Sequence, residues 1–129
     1  MNQELRKITT FTDLDAWQEG HKFVLAIYKT TTDFPNEEVF GLTSQIRRAA
    51  VSITSNIAEG FSRYSYREKA QFYQISLGSV TEVQNQLLIA RDVGYLVSEE
   101  FNPLAKQAIK IHKIINGLIK SSRTIIPNS

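Results

Sequence analysis

Residues 42–67 (LTSQIRRAAVSITSNIAEGFSRYSYR) constrain the fold more than any other part of this 129-residue chain. Apolar and small side chains recur there every three or four residues, which places them on one side of an α-helix. They are Leu42, Ile46, Ala49, Ile53 and Ile57. Gly60 predicts the end of this helix, because glycine adopts the left-handed C-terminal cap without a Cβ clash. Ser65 and Glu68 form an S-x-x-E capping box, which predicts that another helix begins after a short corner.

A second band of mostly small residues follows the same helix beside its apolar face. It consists of Arg47, Val51, Thr54 and Ala58. The core face is complete without this band, and small side chains allow another helix to approach closely. We therefore predict a closed homo-oligomer joined by heterologous contacts.

Helical periodicity predicts three further helices, and no stretch shows the alternation of a strand. The first has the apolar register Leu14, Trp17, His21, Val24, Tyr28 and Thr31. The third runs from about Tyr66 to Val93, ends at Gly94, and has Phe72, Ile75, Val83, Leu87 and Ala90 on its inner side. The last has the inner stripe Phe101, Leu104, Ala108, Ile111, Ile115 and Leu118. The fold class is therefore all-α, with a bundle over residues 11–123, a flexible lead-in over 1–10 and a flexible tail over 124–129.

Several single residues predict local features of these helices. Gly20 and Gly78 predict close helix contacts, because glycine in a helix interior otherwise costs about 1 kcal/mol relative to alanine. Pro103 predicts a 3₁₀ turn before the last α-helix, since proline is tolerated only near a helix start. Glu82 lies near the apolar side of the third helix and predicts a buried carboxylate with a partner on the second helix, either Arg47 or Gln45.

Catalytic and metal-binding patterns are absent from the sequence. His21 and His112 lack metal-ligand spacing, and neither belongs to an H-E-x-x-H motif. The carboxylate pairs Glu37-Glu38 and Glu99-Glu100 fall at predicted helix starts, where the helix dipole accounts for them. The chain has no cysteine, which excludes a disulfide framework and thiolate metal sites. We expect no enzyme activity, no metal and no cofactor.

Basic residues are concentrated in two segments, although the net charge is only +2. On the last helix, four lysines fall within an arc of about 80° opposite the apolar stripe. They are Lys106, Lys110, Lys113 and Lys120. The corner after the second helix interleaves arginines with aromatics, a composition that neutralises phosphates and stacks on unpaired bases. Its members are Arg63, Tyr64, Tyr66 and Arg67, and Arg47 and Arg48 are candidates to extend it.

Each basic segment also has an ordinary structural interpretation. The lysines would form a solvated outer face, and the tyrosines would cover the end of the bundle. Arg47 and Arg48 would pair with an acidic residue on another helix or subunit. These alternatives stay open on the sequence alone.

Three segments together resemble the bacterial four-helix-bundle proteins called 23S rRNA intervening-sequence proteins: DLDAWQEGHKFVLAIYKTTTDFP, GLTSQIRRAAVSITSNIAEG and LGSVTEVQNQLLIARDVGYL. The resemblance covers about Phe11 to Ser122. It implies an up-and-down antiparallel four-helix bundle that assembles as a homopentameric ring. The chain is also similar to accessory proteins of diversity-generating retroelements, which bind nucleic acid and a reverse transcriptase. Thr54 stands where the family usually has proline, and Tyr64 and Tyr66 occupy a corner that is often more basic.

The combined prediction is a non-enzymatic, oligomeric helical bundle that binds RNA or DNA through a basic surface. A protein-interaction scaffold, for example for a reverse transcriptase, is the alternative, and an enzyme with a site built at subunit interfaces is a third hypothesis. The chain has no apolar run long enough to span a membrane and no apolar core of a signal peptide, so we expect a cytoplasmic protein.

Overall fold

The computed structural model describes residues 7–125, with side chains up to Arg123. Four helices follow one another: α1 (Asp15–Thr31), α2 (Leu42–Phe61), α3 (Tyr66–Asp92) and α4 (Ser98–Ile125). Short 3₁₀ turns at Phe11–Asp13 and Asn36–Glu38 precede α1 and α2, and the described residues contain no strand. Each helix packs on its neighbours in sequence and α1 also packs on α4, whereas no Cα atoms of the diagonal helices lie within 8 Å of each other. This arrangement confirms the predicted all-α, up-and-down antiparallel four-helix bundle.

The apolar faces of α2 and α4 agree with the periodicity. Four of the five predicted residues on α2 are buried, and Leu42 at its first turn is half-buried. On α4 the buried apolar positions are Leu104, Ala108, Ile111, Ile115 and Ile119, and the predicted Phe101 is half-buried. Ile119 takes the place expected for Leu118, which is half-buried.

The predicted register of α1 is only partly confirmed, because Val24 and Thr31 are buried but the centre of the buried face is rotated by one residue towards Phe23 and Ile27. Phe23 and Ile27 are fully buried, whereas His21 is exposed and stacks on Trp17 with ring centroids 4.7 Å apart. Gly20 explains the rotation, because a Cβ built there would lie 3.0 Å from the Cγ2 atom of Thr54 on α2. The close contact predicted for Gly20 is therefore confirmed, and it turns the small residues of α1 inward.

The first half of α3 shows the same one-residue shift. Tyr73 and Ser76 are buried in place of Phe72 and Ile75. The Ser76 hydroxyl donates to the Ile53 carbonyl oxygen of α2 at 2.8 Å, which holds this face of α3 against α2. Gly78 was predicted to permit a close contact, but no heavy atom lies within 4 Å of a Cβ built there. That prediction was wrong.

Gly60 does not cap α2, contrary to the prediction. The helix continues to Phe61, and the only positive φ of the described residues belongs to Gly94 (φ +89°). A Cβ at Gly60 would lie 2.6 Å from Cε1 of Tyr73, so the glycine permits close packing of α3. The capping box is confirmed, because the Ser65 hydroxyl accepts from the Glu68 amide at 3.1 Å.

Gly94 ends α3 as predicted. Its left-handed backbone lets the Tyr95 amide donate to the Ala90 carbonyl oxygen at 2.8 Å. Leu96 is then buried against the core.

The remaining local predictions need three corrections. α2 begins at Leu42, not at Asn36–Glu38, and the Glu38 carboxylate accepts from the Leu42 amide at 3.1 Å. α4 is α-helical from Ser98, so no 3₁₀ turn precedes Pro103. Glu82 is exposed and accepts from Gln86 Nε2 on its own helix at 3.3 Å, so it is no buried partner of α2.

The predicted flexible ends fall mostly beyond the described residues. Positions 1–6 of the lead-in and 126–129 of the tail lie outside them. Within them, the Thr9 and Thr10 amides both donate to Asp13, and α4 extends through residue 125.

Candidate nucleic-acid interface

The four predicted lysines of α4 are all exposed on the side of the helix opposite its buried residues. Lys110 is paired with α1, because its Nζ lies 3.5 Å from Glu19 Oε2. The other three lack an acidic partner in the part of the chain that the structure describes, and we call them the lysine stripe: Lys106, Lys113 and Lys120. At 1.5 Å per residue the stripe extends about 21 Å along α4.

The end of α4 reaches the corner between α2 and α3 through Arg123. Its Nε and Nη2 atoms donate to the Tyr66 hydroxyl at 3.1 and 2.9 Å, and its guanidinium lies 5.2 Å from the centroid of the Tyr66 ring. The lysine stripe therefore leads to the corner. Sequence reasoning missed Arg123 as a site residue, because its partner is 57 positions away and only the antiparallel packing brings them together.

Arg63 is held by the structure of the corner. Its Nη2 lies 3.1 Å from Glu59 Oε1, its Nη1 lies 3.9 Å from Glu68 Oε2, and its guanidinium covers the Phe72 ring at 4.7 Å. Two carboxylates neutralise this charge, so Arg63 stabilises the corner. Its place in a phosphate-binding surface is weaker than the sequence indicated.

Two other corner residues are open to a ligand. The Tyr64 side chain is 94% exposed, which leaves its ring free for stacking. Arg67 is exposed and forms no ion pair with the described residues. Lys69 is different, since its Nζ donates to the Phe61 carbonyl oxygen at 2.8 Å and caps α2. Burial lowers the pKa of Lys69.

Arg47 and Arg48 lie far from this corner. Fourteen residues of helical rise separate Arg47 from Phe61, where α2 ends beside the corner, which is about 21 Å. Arg47 Nε donates to Thr31 Oγ1 at 2.8 Å, and its guanidinium lies 4.7 Å from the centroid of the Tyr28 ring. Arg48 is exposed. The structure therefore does not bring this arginine pair together with the rest of the predicted site.

The second band of α2 is partly used inside the bundle. Thr54 is buried against Gly20 of α1, whereas Val51 is exposed. Larger exposed apolar side chains lie elsewhere. Phe40, in the connection between α1 and α2, is 97% exposed. Other exposed apolar residues lie on α3, on α4 and between them: Leu88, Ile89, Val93, Val97 and Ile109.

The described residues offer no cluster of three or more histidine, cysteine or carboxylate side chains that could hold a metal ion. His112 is half-buried, and its Nδ1 lies 3.2 Å from Asn116 Nδ2 on the same helix. No helix in the described range combines the length and the apolar character that crossing a membrane requires.

Comparison with known proteins places the chain in a family. No curated protein matches it. It is similar to the crystal structure of a protein of unknown function from the S23 ribosomal protein family of Bacteroides thetaiotaomicron, with a TM-score of 0.75 and 21% sequence identity. The alignment covers 81% of this chain and 95% of that one, and at this identity it shows a shared fold. The family profile described as 23S rRNA-intervening sequence protein matches residues 12–117. The chain belongs to the 23S rRNA-intervening sequence protein family.

Proposed function

We propose that this protein is a non-enzymatic helical bundle that binds single-stranded RNA or DNA through one continuous basic face. The face consists of the lysine stripe, Arg123 and the corner residues Tyr64, Tyr66 and Arg67. The observation that carries the proposal is the contact between Arg123 and Tyr66, because it joins two basic segments that are distant in sequence.

The residues of the basic face have different roles in binding. The three lysines of the stripe are exposed and have no acidic partner among residues 7–125, so they can neutralise phosphates and release counterions. The exposed Tyr64 ring can stack on a base of any sequence. Tyr66 holds Arg123 through its hydroxyl, so its part is to position a cation.

Self-association would place several copies of the basic face, which carries only a few charges per chain, in one assembly. Phe40 and the apolar side chains of α3 and α4 are exposed in the single chain, and burying them against further copies would stabilise an assembly. We propose a closed homo-oligomer, and the family resemblance favours a pentamer. Several copies of the basic face would bind one strand with an affinity raised by effective concentration.

The binding proposal is tested by fluorescence anisotropy with a labelled single-stranded RNA at low salt. Tyr64→Ala should cost about 1–3 kcal/mol of binding free energy if a base stacks there. Tyr66→Phe removes only the hydroxyl that positions Arg123, so it should weaken binding while leaving the ring in place. Lys113→Gln removes one charge of the lysine stripe and should weaken binding. Lys29→Gln is its charge-matched control and should not, because Lys29 is an exposed lysine of α1 outside the basic face. Equal affinities for all of these variants would contradict the proposal.

The alternative function is a protein-interaction scaffold, and the exposure of Phe40 favours it independently of charge. An apolar partner surface, such as that of a reverse transcriptase, would cover the same side chains. A protein that assembles normally but binds no RNA or DNA at low salt would support this alternative.

A further inference from the structure

A groove runs between α3 and α4, close to the end of the bundle where α3 ends and α4 begins. Its lining residues are Gln84, Leu87, Leu88, Phe101, Ala105 and Ile109. All but Gln84 are apolar, and Leu88 and Ile109 are exposed at its rim. The volume of this α3–α4 groove is about 160 Å³. An apolar cavity of about 150 Å³ holds one benzene ring, so the groove can admit an aromatic side chain.

An aromatic side chain without a packing partner lies in the connection between α1 and α2. Phe40 is 97% exposed there, although phenylalanine is among the residue types most often buried. The α1–α2 side of the bundle carries further exposed apolar side chains. Tyr28 is one of them, since the Arg47 guanidinium of α2 lies 4.7 Å from its ring centroid. Leu25 and Val51 are also exposed and lie one turn from Tyr28 and Arg47 on the same helix faces.

These two surfaces lie on opposite sides of the bundle and at the same end of it. The α1–α2 side is opposite the α3–α4 side, because each helix packs on its neighbours and not on the diagonal helix. The Tyr95 hydroxyl, between α3 and α4, donates to Glu38, two residues before Phe40, at 2.8 Å. A contact between the two surfaces therefore relates two copies by a rotation with little translation along the bundle. A heterologous contact of this kind can close into a ring, whereas one that includes a translation continues as a filament.

The charges beside the two surfaces are opposite in sign. Glu37, three residues before Phe40, is exposed and has no ion-pair partner among residues 7–125. Arg91 lies at the groove, since its guanidinium is 4.8 Å from the centroid of the Phe101 ring. Its Nε is 2.9 Å from Asp92 Oδ1, which leaves further N–H donors on the same guanidinium. Complementary charges at the edge of an interface help to select which surfaces meet.

We infer that Phe40 of one copy inserts into the α3–α4 groove of the next copy, and that this contact repeats around a closed ring. The inference rests on the homo-oligomer proposed above and adds which two surfaces meet. Each chain offers Phe40 to one neighbour and its groove to the other. A stable contact buries about 800 Å² per partner, and one aromatic side chain supplies about 150–250 Å² of this. The exposed apolar side chains of the α1–α2 side supply part of the remainder.

Light scattering of the full chain at micromolar concentration tests the two surfaces separately. Phe40→Ser removes the inserted ring, and Ile109→Asp places a charge in the groove lining. Each should lower the mass to that of a single chain. Ile89→Asp is the matched control, because Ile89 is an exposed isoleucine of α3 that does not line the groove, and its mass should equal that of the wild type. All three positions are exposed, so a helical circular-dichroism spectrum should confirm that each variant is folded.

Mixing the two single-chain variants tests the pairing itself. Phe40→Ser keeps an intact groove, and Ile109→Asp keeps an intact Phe40, so one contact can form between them. Sedimentation of the mixture at rising concentration should show a one-to-one dimer that cannot grow further, whereas each variant alone stays a single chain. A mixture that contains no dimer would overturn the inference, because contacts between like surfaces cannot be restored in this way.

The same measurements separate this inference from the proposal on which it rests. A wild type that is a single chain would contradict the homo-oligomer itself. A wild type that assembles, with a mass that neither Phe40→Ser nor Ile109→Asp changes, would retain the homo-oligomer and overturn the pairing of Phe40 with the groove. A mass that falls in Phe40→Ser but not in Ile109→Asp would show that Phe40 meets a surface other than the groove.

Discussion

Replacing Gly60 by alanine should destabilise the bundle, although alanine is the better helix former. The new methyl group would lie 2.6 and 2.9 Å from two ring carbons of Tyr73, and 3.1 Å from Cβ of Phe72. The Tyr73 ring is 1% exposed and cannot turn away, so α2 and α3 must separate. Overpacking of this kind costs about 1–3 kcal/mol. Alanine recovers about 1 kcal/mol of helix propensity, which leaves a net loss of up to about 2 kcal/mol.

Gly78→Ala is the matched control, because nothing lies within 4 Å of a Cβ at that position. It should raise the free energy of unfolding by about 0.5–1 kcal/mol. Urea denaturation at one protein concentration measures both variants, since assembly makes stability depend on concentration. In a Tyr73→Leu background, the cost of Gly60→Ala should shrink. Gly60→Ala as stable as the wild type would refute the reasoning.

Three further predictions concern titration and assembly. Hydrogen bonds from the Tyr95 hydroxyl and the Leu42 amide hold the pKa of Glu38 below its usual value of 4.5. Glu38→Gln should therefore lower the thermal midpoint at neutral pH, and the difference should disappear as the pH falls through the lowered pKa. Burial raises the pKa of Tyr73 from 10.0 to about 12, so the free energy of unfolding should fall as the pH rises from about 10 to 12. Alkaline denaturation should show a smaller fall over this range for Tyr73→Phe, which cannot ionise. Phe40→Ser should lower the mass measured by light scattering at micromolar concentration. An unchanged mass would show that Phe40 is not part of the contact between copies of the chain.

Helix faces could be predicted where bulky apolar residues define them. The predicted inner faces of α2 and α4 hold with small changes at their ends. The predictions for α1 and for the first half of α3 were wrong by one residue at several positions, because hydropathy gives little weight to Gly20 and Ser76. These small residues decide the rotation through close packing and a hydroxyl-to-carbonyl hydrogen bond between helices.

The roles of single residues depended on partners distant in sequence. Gly60 is a residue type typical of a helix end, but the close packing of Tyr73 on the facing helix explains why a glycine stands there. Arg63 is a residue type that often binds phosphate, but the carboxylates of Glu59 and Glu68 neutralise its charge. Arg123 carried no local signal, because its contact with Tyr66 arises only when α3 and α4 pack antiparallel.

The salt dependence of RNA binding tests the central claim most directly. Anisotropy titrations at several salt concentrations compare the wild type with a variant that carries Lys106→Gln, Lys113→Gln and Lys120→Gln. Each phosphate contact in a single strand contributes about 0.7 to the slope of log Kobs against log salt, so three lost contacts should make the slope shallower by about 2. A steep wild-type slope that the variant loses is the predicted result. Identical slopes and affinities for the two proteins would contradict a basic face built on the lysine stripe.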